Sequence, residues 1–436
     1  MDIVGSTSVA VFLTGFLVFI FYSTWRKTGI WFNPSSLFAL FWIVYTGIPL
    51  LVGLGYSFNP VALLYIVIFI SLFSLSTFLF DWNVAINDNI QNIYLNNLYI
   101  APFLIVVFLF FVILSVFFHA IDLLHQGISL SSDFLSIGGK YTGLRYAGDL
   151  NQNVFAKIAL LTSYQSAVLG GLVFGGKSRR SIKTLILMAA MLPSILVMLL
   201  QSAKGLFFLS SAFFAGSWLV TRIFQNDFRF PQISLFQGIA AFLALSTFVI
   251  TSFISRIGLD FNTLRFYIAS YSSGHLYAFS DWFSHRYFET FSSNNYEQLS
   301  LEGGFYTFMA FFKFFGDSRY VPMGIYDEFF EVPGLLQTNI FTVFRGLISD
   351  FGLFGSLIFA AFVGLVSNLV FYVLVSNKNS TIGMVFFIYS VGFLYQTYIV
   401  SSLSWLSIPV SFFLTIFILS LNNFYLMVKI KKVDIV

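Results

Sequence analysis

Cysteine is absent from the 436 residues, and charge is scarce: Asp, Glu, Lys and Arg together make up 9% of the chain. The first absence excludes disulfides, thiolate metal sites and cysteine nucleophiles. The second excludes an ordinary water-facing surface, because soluble domains average about 25% charged residues. No Walker A sequence, dinucleotide fingerprint, HExxH, metal-spaced His/Cys set or DxD pair occurs. Nothing therefore points to ATP-driven transport, or to use of a nucleotide-sugar through a bound metal. The N-terminal residues lack the basic start and small-residue cleavage site of a signal peptide, and read as a retained first helix. The balance of 22 Lys+Arg against 18 Asp+Glu is mildly basic, without the clustered basic face that nucleic-acid binding needs.

What is present is apolar: 58% hydrophobic and 20% aromatic residues, with 60 Phe. A membrane-crossing helix needs about twenty mostly apolar residues. Eleven segments qualify: 4–24, 31–53, 60–80, 99–119, 154–175, 184–202, 205–223, 233–254, 351–375, 381–400 and 405–428. The pair 184–202 and 205–223 is divided only by the polar joint Gln201-Ser202-Ala203-Lys204-Gly205. The runs are continuous rather than alternating, which argues against a closed β-barrel. The expected fold is an all-α polytopic integral membrane protein, organised as one membrane domain over 1–436.

Short loops carry their Lys and Arg on one side of this layout: Arg26 and Lys27; Lys177, Arg179, Arg180 and Lys183; Arg222 and Arg229; Lys378; Lys429, Lys431 and Lys432. Basic short loops face the cytoplasm, so the N-terminus is expected outside and the C-terminus inside. Two longer regions then fall outside the cytoplasm, 120–153 and 255–350. The second is aromatic-rich and amphipathic, and is expected to form short helices lying in the interface.

Arg145, Lys204, Arg256, Arg265 and Arg345 fall at or near the outer ends of helices, where charge is costly unless it meets a partner. Guanidinium groups suit phosphate oxygens, so these five are candidates to line a pocket for one or two lipid diphosphates. The plain alternative is snorkelling to headgroups or pairing with Asp149, Asp260 or Asp350. The stretch Gly274-His275-Leu276-Tyr277-Ala278-Phe279-Ser280-Asp281-Trp282-Phe283 gathers His, Asp and Trp. A neutral His can take a proton from a sugar hydroxyl, and Tyr271, Tyr277 and Trp282 can stack on sugar rings. His275 could equally hold a loop by a hydrogen bond, and His285 has a similar case. In Asn339 to Gly355, which enters a helix, Arg345 and Asp350 could form an ion pair that fixes the helix start.

Three of these stretches, Arg145-Tyr146-Ala147-Gly148, Gly274-His275 to Trp282-Phe283, and Asn339 through Asp350-Phe351-Gly352 to Gly355, resemble the O-antigen polymerase family of bacterial inner membranes. The layout, with a large loop before the last helices, is similar along the whole chain. The resemblance implies a type C glycosyltransferase-like architecture and a metal-independent, inverting glycosyltransferase that needs no cofactor. It implies transfer of a growing glycan from undecaprenyl diphosphate onto the non-reducing end of a new lipid-linked repeat unit, on the periplasmic face of the inner membrane, beside a chain-length regulator protein. It further implies Arg145, Arg265 and Arg345 as diphosphate ligands and His275 as the base, with Lys204 as a weaker basic contact. Read from the residues alone, the base is His275 or Asp281, or positioning suffices. A lipid-linked oligosaccharide flippase is the rival from another class. It would be expected to show repeat halves and mid-membrane charge, and no repeat is visible. An O-antigen ligase would share the donor and differ in the acceptor.

Overall fold

The computed structural model describes residues 3–52, 59–91, 102–131, 134–151, 153–176, 179–232, 234–288, 296, 301–322, 324–378 and 380–433, with the side chains of 3–6, 88–91, 134–135, 146, 241–242, 255–257 and 429–433 excepted. In chain order its helices are α1 (Ile3–Thr28), α2 (Pro34–Val52), α3 (Pro60–Leu75), α4 (Trp82–Gln91), α5 (Pro102–His125), α6 (Phe134–Ala147), α7 (Val154–Gly175), α8 (Arg180–Leu200), α9 (Lys204–Phe224), α10 (Leu235–Ile257), α11 (Phe261–Phe288), α12 (Met309–Phe314), α13 (Thr342–Ser376), α14 (Thr381–Gln396) and α15 (Ser407–Val433). A two-stranded antiparallel ribbon, β1 (Phe330–Val332) and β2 (Leu336–Thr338), precedes α13. Ten helices among the described residues are long and apolar enough to cross a membrane. The chain is an all-α polytopic membrane protein.

Those ten coincide with ten of the eleven segments read from the sequence. The eleventh, 381–400, is the shorter α14 of 16 residues. The helix stops at Gln396 because the next residues are engaged elsewhere: the Thr397 carbonyl accepts from Val343 N (2.9 Å) and its hydroxyl from Trp42 Nε1 (3.0 Å).

The expected single domain is built as two compact units. One comprises 1–88, 265–376 and 393–406; the other comprises 89–264, 377–392 and 407–436. Within a bilayer, helices associate through close packing and buried hydrogen bonds rather than through release of water, and each unit follows that rule. In the first, Asn368 of α13 donates to Ser35 Oγ (3.0 Å) and Ser76 Oγ (2.9 Å), and Tyr65 pairs with Ser356 (2.7 Å). Phe344 meets Trp42 of α2 (5.1 Å between ring centres), Phe69 of α3 (4.9 Å) and Phe279 of α11 (5.9 Å). In the second, Gly171 of α7 lies so close to α9 that a Cβ there would come within 2.3 Å of the Phe214 carbonyl oxygen. Asp122 of α5 accepts from Asn153 (2.7 Å), Gln201 (3.1 Å), Gln126 (3.2 Å) and Tyr141 (3.3 Å), tying together α5, α6 and the ends of α7 and α8.

The region 255–350 departs from the expected short interfacial helices. Its longest element is one continuous helix, α11, of 28 residues, whose middle from Ala269 to Ser284 is mostly buried. Small residues make this possible. Ala269, Ser270, Ser273, Gly274, Ala278 and Ser280 let neighbouring chain approach, and a Cβ at Gly274 would stand 2.8 Å from Thr338 Cγ2.

Candidate functional site

The site is assembled on the first two turns of α13, in the first unit. Gly352 (φ 71°, ψ 175°) interrupts the helical path, so Thr342–Phe351 forms a short buried segment ahead of the long apolar run. Thr342, Arg345, Gly346 and Ser349 recur at three- and four-residue spacing and share one stripe of this segment. Arg345 is 1% exposed. Its guanidinium sits in the corner made by the Tyr326 ring (3.9 Å) and the Phe341 ring (4.2 Å), and its Nη2 donates to Glu328 Oε1 at 2.9 Å. Stacking on aromatic faces suits the planar guanidinium in a way it would not suit an ammonium.

That one ion pair leaves the group incomplete. Arg345 Nε and Nη1 are buried and have no hydrogen-bond partner among the described residues, and the same holds for the hydroxyls of Tyr326, Thr342 and Ser349. Native proteins pair nearly all buried polar atoms, and each one left unmade costs about 1–3 kcal/mol. Five such atoms on one stripe and the ring facing it form a donor-rich surface. Tyr326 looks directly onto Gly346, where an added Cβ would stand 3.3 Å from the phenol oxygen. Burial raises the Tyr326 phenol well above its ordinary value, so it remains a donor. A cavity of about 150 Å³ opens here, lined by Tyr306, Tyr320, Pro322, Tyr326, Glu328 and Arg345 among others. The backbone is strained on both sides of it: Ile325 (φ 72°) and Thr342 (φ 66°) are β-branched residues in the left-handed region. Such strain costs on the order of 1–3 kcal/mol per residue and concentrates at functional sites. Guanidinium groups can only donate, and hydroxyls can donate or accept. The complement of this set is a group rich in acceptor oxygens.

Several of the residues expected from the sequence converge here. The Trp282 ring is 5.5 Å from the Arg345 guanidinium. Asp281 accepts from the Tyr296 hydroxyl (2.7 Å), and the Tyr296 ring lies 5.6 Å from the same guanidinium. His285 packs on Tyr296 (5.5 Å), and its Nδ1 is buried without a hydrogen-bond partner among the described residues. His275 stands apart. It is 2% exposed, ringed by Trp42, Tyr45 and Tyr398, and its Nε2 donates to the Tyr45 carbonyl (3.0 Å). Its remaining basic atom, Nδ1, has no hydrogen-bond partner among the described residues, and burial pulls its pKa down to about 4. At 1.5 Å per residue, His275 and Trp282 are about 10 Å apart along α11. Tyr277 is buried and Tyr271 half-exposed on the same helix.

The idea of one pocket shared by all five cations does not survive for Arg265 and Arg345. Arg265 is exposed on the first turns of α11, about 25 Å along the continuous helix from Trp282. No side chain spans that gap to the Arg345 guanidinium. Arg145 and Lys204 belong to the second unit. There Arg145 stacks on Tyr141 (5.3 Å), and Lys204, 6% exposed, sits over Phe253 (3.9 Å). The Arg256 side chain lies outside the described residues, as do Glu289, Glu297 and Lys177. The ion pair expected between Arg345 and Asp350 is also replaced. Asp350 accepts from Tyr306 N (3.0 Å), Thr307 N (2.6 Å) and Thr307 Oγ1 (2.6 Å), bracing the turn before α12, while Arg345 takes Glu328 instead.

Sequence reading missed Glu328, Tyr326, Thr342 and Ser349. The acidic pair Asp327-Glu328 and the spacing of Thr342, Arg345 and Ser349 are visible in hindsight, but the contact between Glu328 and Arg345 crosses 17 residues of irregular chain and ribbon. Among the described residues, no group of three or more His, Asp or Glu is placed to hold a metal ion. No family model, curated protein or solved structure matches the chain.

Proposed function

We propose that the chain is a polymerase of lipid-linked oligosaccharide repeat units, an inverting, metal-independent glycosyltransferase with a type C-like architecture. In this reading it sits in a bacterial inner membrane, N-terminus in the periplasm and C-terminus in the cytoplasm. The Arg345 cavity faces the periplasm, and a chain-length regulator accompanies the enzyme. The observation that carries the reading is the buried, donor-rich stripe of Thr342, Arg345 and Ser349 beneath Tyr326. A diphosphate supplies the acceptor oxygens these groups lack, and the three sequence stretches that resemble the polymerase family include the one bearing Arg345.

The reaction requires little else. The acceptor hydroxyl oxygen attacks the anomeric carbon of the donor sugar from the face opposite the diphosphate. The bond from that carbon to the diphosphate oxygen breaks, and the leaving group departs with the electron pair, its growing negative charge stabilised by Arg345 and the adjacent hydroxyls. The hydroxyl proton passes to a base. Of the two candidates, Asp281 is favoured over His275, because Asp281 shares Tyr296 with Arg345 while His275 is enclosed elsewhere.

The test is complementation of a polymerase-deficient host that makes the matching repeat unit, with the wild-type gene and with Arg345→Met and Asp281→Asn. The expected result is a restored polysaccharide ladder with the wild type and none with Arg345→Met at equal membrane abundance. A wild-type gene that restores no ladder, while translocation of the lipid-linked unit is restored to a translocation-deficient host, would replace this reading with a flippase.

A further inference from the structure

The second unit contains another incompletely satisfied arginine, far along the chain from Arg345. Arg222, on the last turn of α9, is 4% exposed. Its Nη2 forms an ion pair with Asp227 Oδ2 (2.9 Å) and donates to the Arg229 carbonyl, and its guanidinium lies 5.2 Å from the Trp218 ring one turn earlier. Nε and Nη1 are buried and have no hydrogen-bond partner among the described residues. Beside this turn, Lys378 is 1% exposed, and its Nζ donates to Asn226 Oδ1 at 2.7 Å. Asn226 holds the left-handed conformation (φ 54°) that turns its amide toward the 377–380 connection. No carboxylate pairs with Lys378 among the described residues. Two buried cations are thus joined through one turn, Arg222 to Asp227, with one half-exposed carboxylate between them.

Burying a second cation beside the first is costly unless an anion answers both. The side chains on hand supply neutral acceptors and a single Asp, already engaged by Arg222. A multi-oxygen anion would answer both. Its depth is set by α9, which is long and apolar enough to cross a membrane and ends at Phe224. Arg222 and Trp218 therefore lie where a spanning helix leaves the hydrocarbon, the level at which lipid phosphates sit and where Trp and Arg anchor. We propose that Arg222 and Lys378, bridged by Asn226 and Asp227, form a binding site for the headgroup phosphate of an anionic lipid at the end of α9. Trp218 supplies an apolar wall for the upper part of the lipid's glycerol and acyl region.

The experiment uses the full chain purified in neutral detergent, with added phosphatidylglycerol, phosphatidylcholine or inorganic phosphate. Lipid retention is read by native mass spectrometry, and the thermal midpoint is read in parallel. Wild type is expected to retain phosphatidylglycerol over phosphatidylcholine and to gain thermal stability from it. Lys378→Gln keeps a donor for Asn226 while removing the charge, and is expected to weaken the preference about tenfold, as loss of one charge-assisted contact does. Arg222→Gln is expected to act alike; should it fail to fold, Lys378→Gln carries the test. Lys183→Gln, a basic residue on α8 outside this cluster, should leave the preference intact. An undiminished preference in Lys378→Gln, or an equal loss in Lys183→Gln, overturns the site in favour of diffuse attraction. If inorganic phosphate alone reproduces the stabilisation with the same dependence on Lys378, a soluble oxyanion is the ligand and the lipid assignment is overturned.

Discussion

Replacing Arg345 by Met and Glu328 by Gln, singly and together, separates the structural cost of their ion pair from its use. Met fills the space beside Tyr326 and Phe341 but removes the charge, so Glu328 loses its ion pair with Arg345. Breaking a fully buried pair costs about 3–5 kcal/mol. Glu328 is 17% exposed on its side chain and can recover part of its hydration, so about 2–3 kcal/mol is expected for Arg345→Met. Glu328→Gln leaves the guanidinium with a neutral amide oxygen as acceptor, for a loss of about 1–2 kcal/mol. The double variant buries neither charge and removes two unsatisfied nitrogens of Arg345, so it should lie within about 1 kcal/mol of wild type. Polymerisation should behave differently. Both variants lacking Arg345 should lose roughly 10²–10³-fold in transfer rate, the usual consequence of deleting one group aimed at developing charge. Stability would be followed by thermal unfolding of the detergent-solubilised protein, and transfer by polymer length at matched abundance. A double variant that is as stable as wild type and still makes full-length polymer would refute a diphosphate role for Arg345.

Other predictions rest on single features. Asp350→Asn weakens three contacts to Tyr306 N, Thr307 N and Thr307 Oγ1. It should destabilise the protein by about 2–3 kcal/mol, measured as a lower thermal midpoint. Gly364→Ala places a Cβ 2.1 Å from the Phe73 carbonyl oxygen, a backbone atom that cannot swing away. It should cost about 1–3 kcal/mol despite alanine's better helix propensity, and a raised midpoint would show the α3–α13 approach to be looser than described. His275 protonates near 6.5 when unfolded but only near 4 when folded. The unfolded chain therefore binds more protons between these values: stability is full above pH 6.5 and falls as pH drops through the window toward 4. His275→Gln should flatten that fall by up to roughly 3 kcal/mol, seen by comparing thermal midpoints of wild type and variant at pH 7 and pH 4.5.

Much of the membrane architecture was legible because continuous apolar runs have few alternative readings in a chain this poor in charge. Even the narrow joint at Gln201-Ser202-Ala203 marks a true break between α8 and α9. The helix α11 was not legible as a packed element. Its Ser, Gly, Tyr and His residues lower its hydropathy, yet Gly274 gives room to Thr338 while Phe279 and Phe283 pack on Tyr65 and Phe344. The site was half visible. Arg345 and the Asp281-Trp282 pair were singled out from their chemistry and position. Glu328 and Tyr326 were not, because their role arises from an irregular segment folding back over α13, and no local pattern encodes that return. The expected ion pair between Arg345 and Asp350 failed for a related reason. Five residues along a helix place two side chains on different faces, and each found a partner from the preceding loop.

The most direct test of the central claim uses the purified protein with lipid-linked repeat units extracted from its own source. In detergent there is no compartment to cross, so translocation cannot substitute for transfer. Glycan length and undecaprenyl diphosphate release would be measured together. A ladder with one undecaprenyl diphosphate released per linkage formed is expected, lost in the Arg345→Met/Glu328→Gln double variant, which remains folded. Release without a ladder, no reaction by the wild type, or an unchanged ladder in the double variant would contradict it.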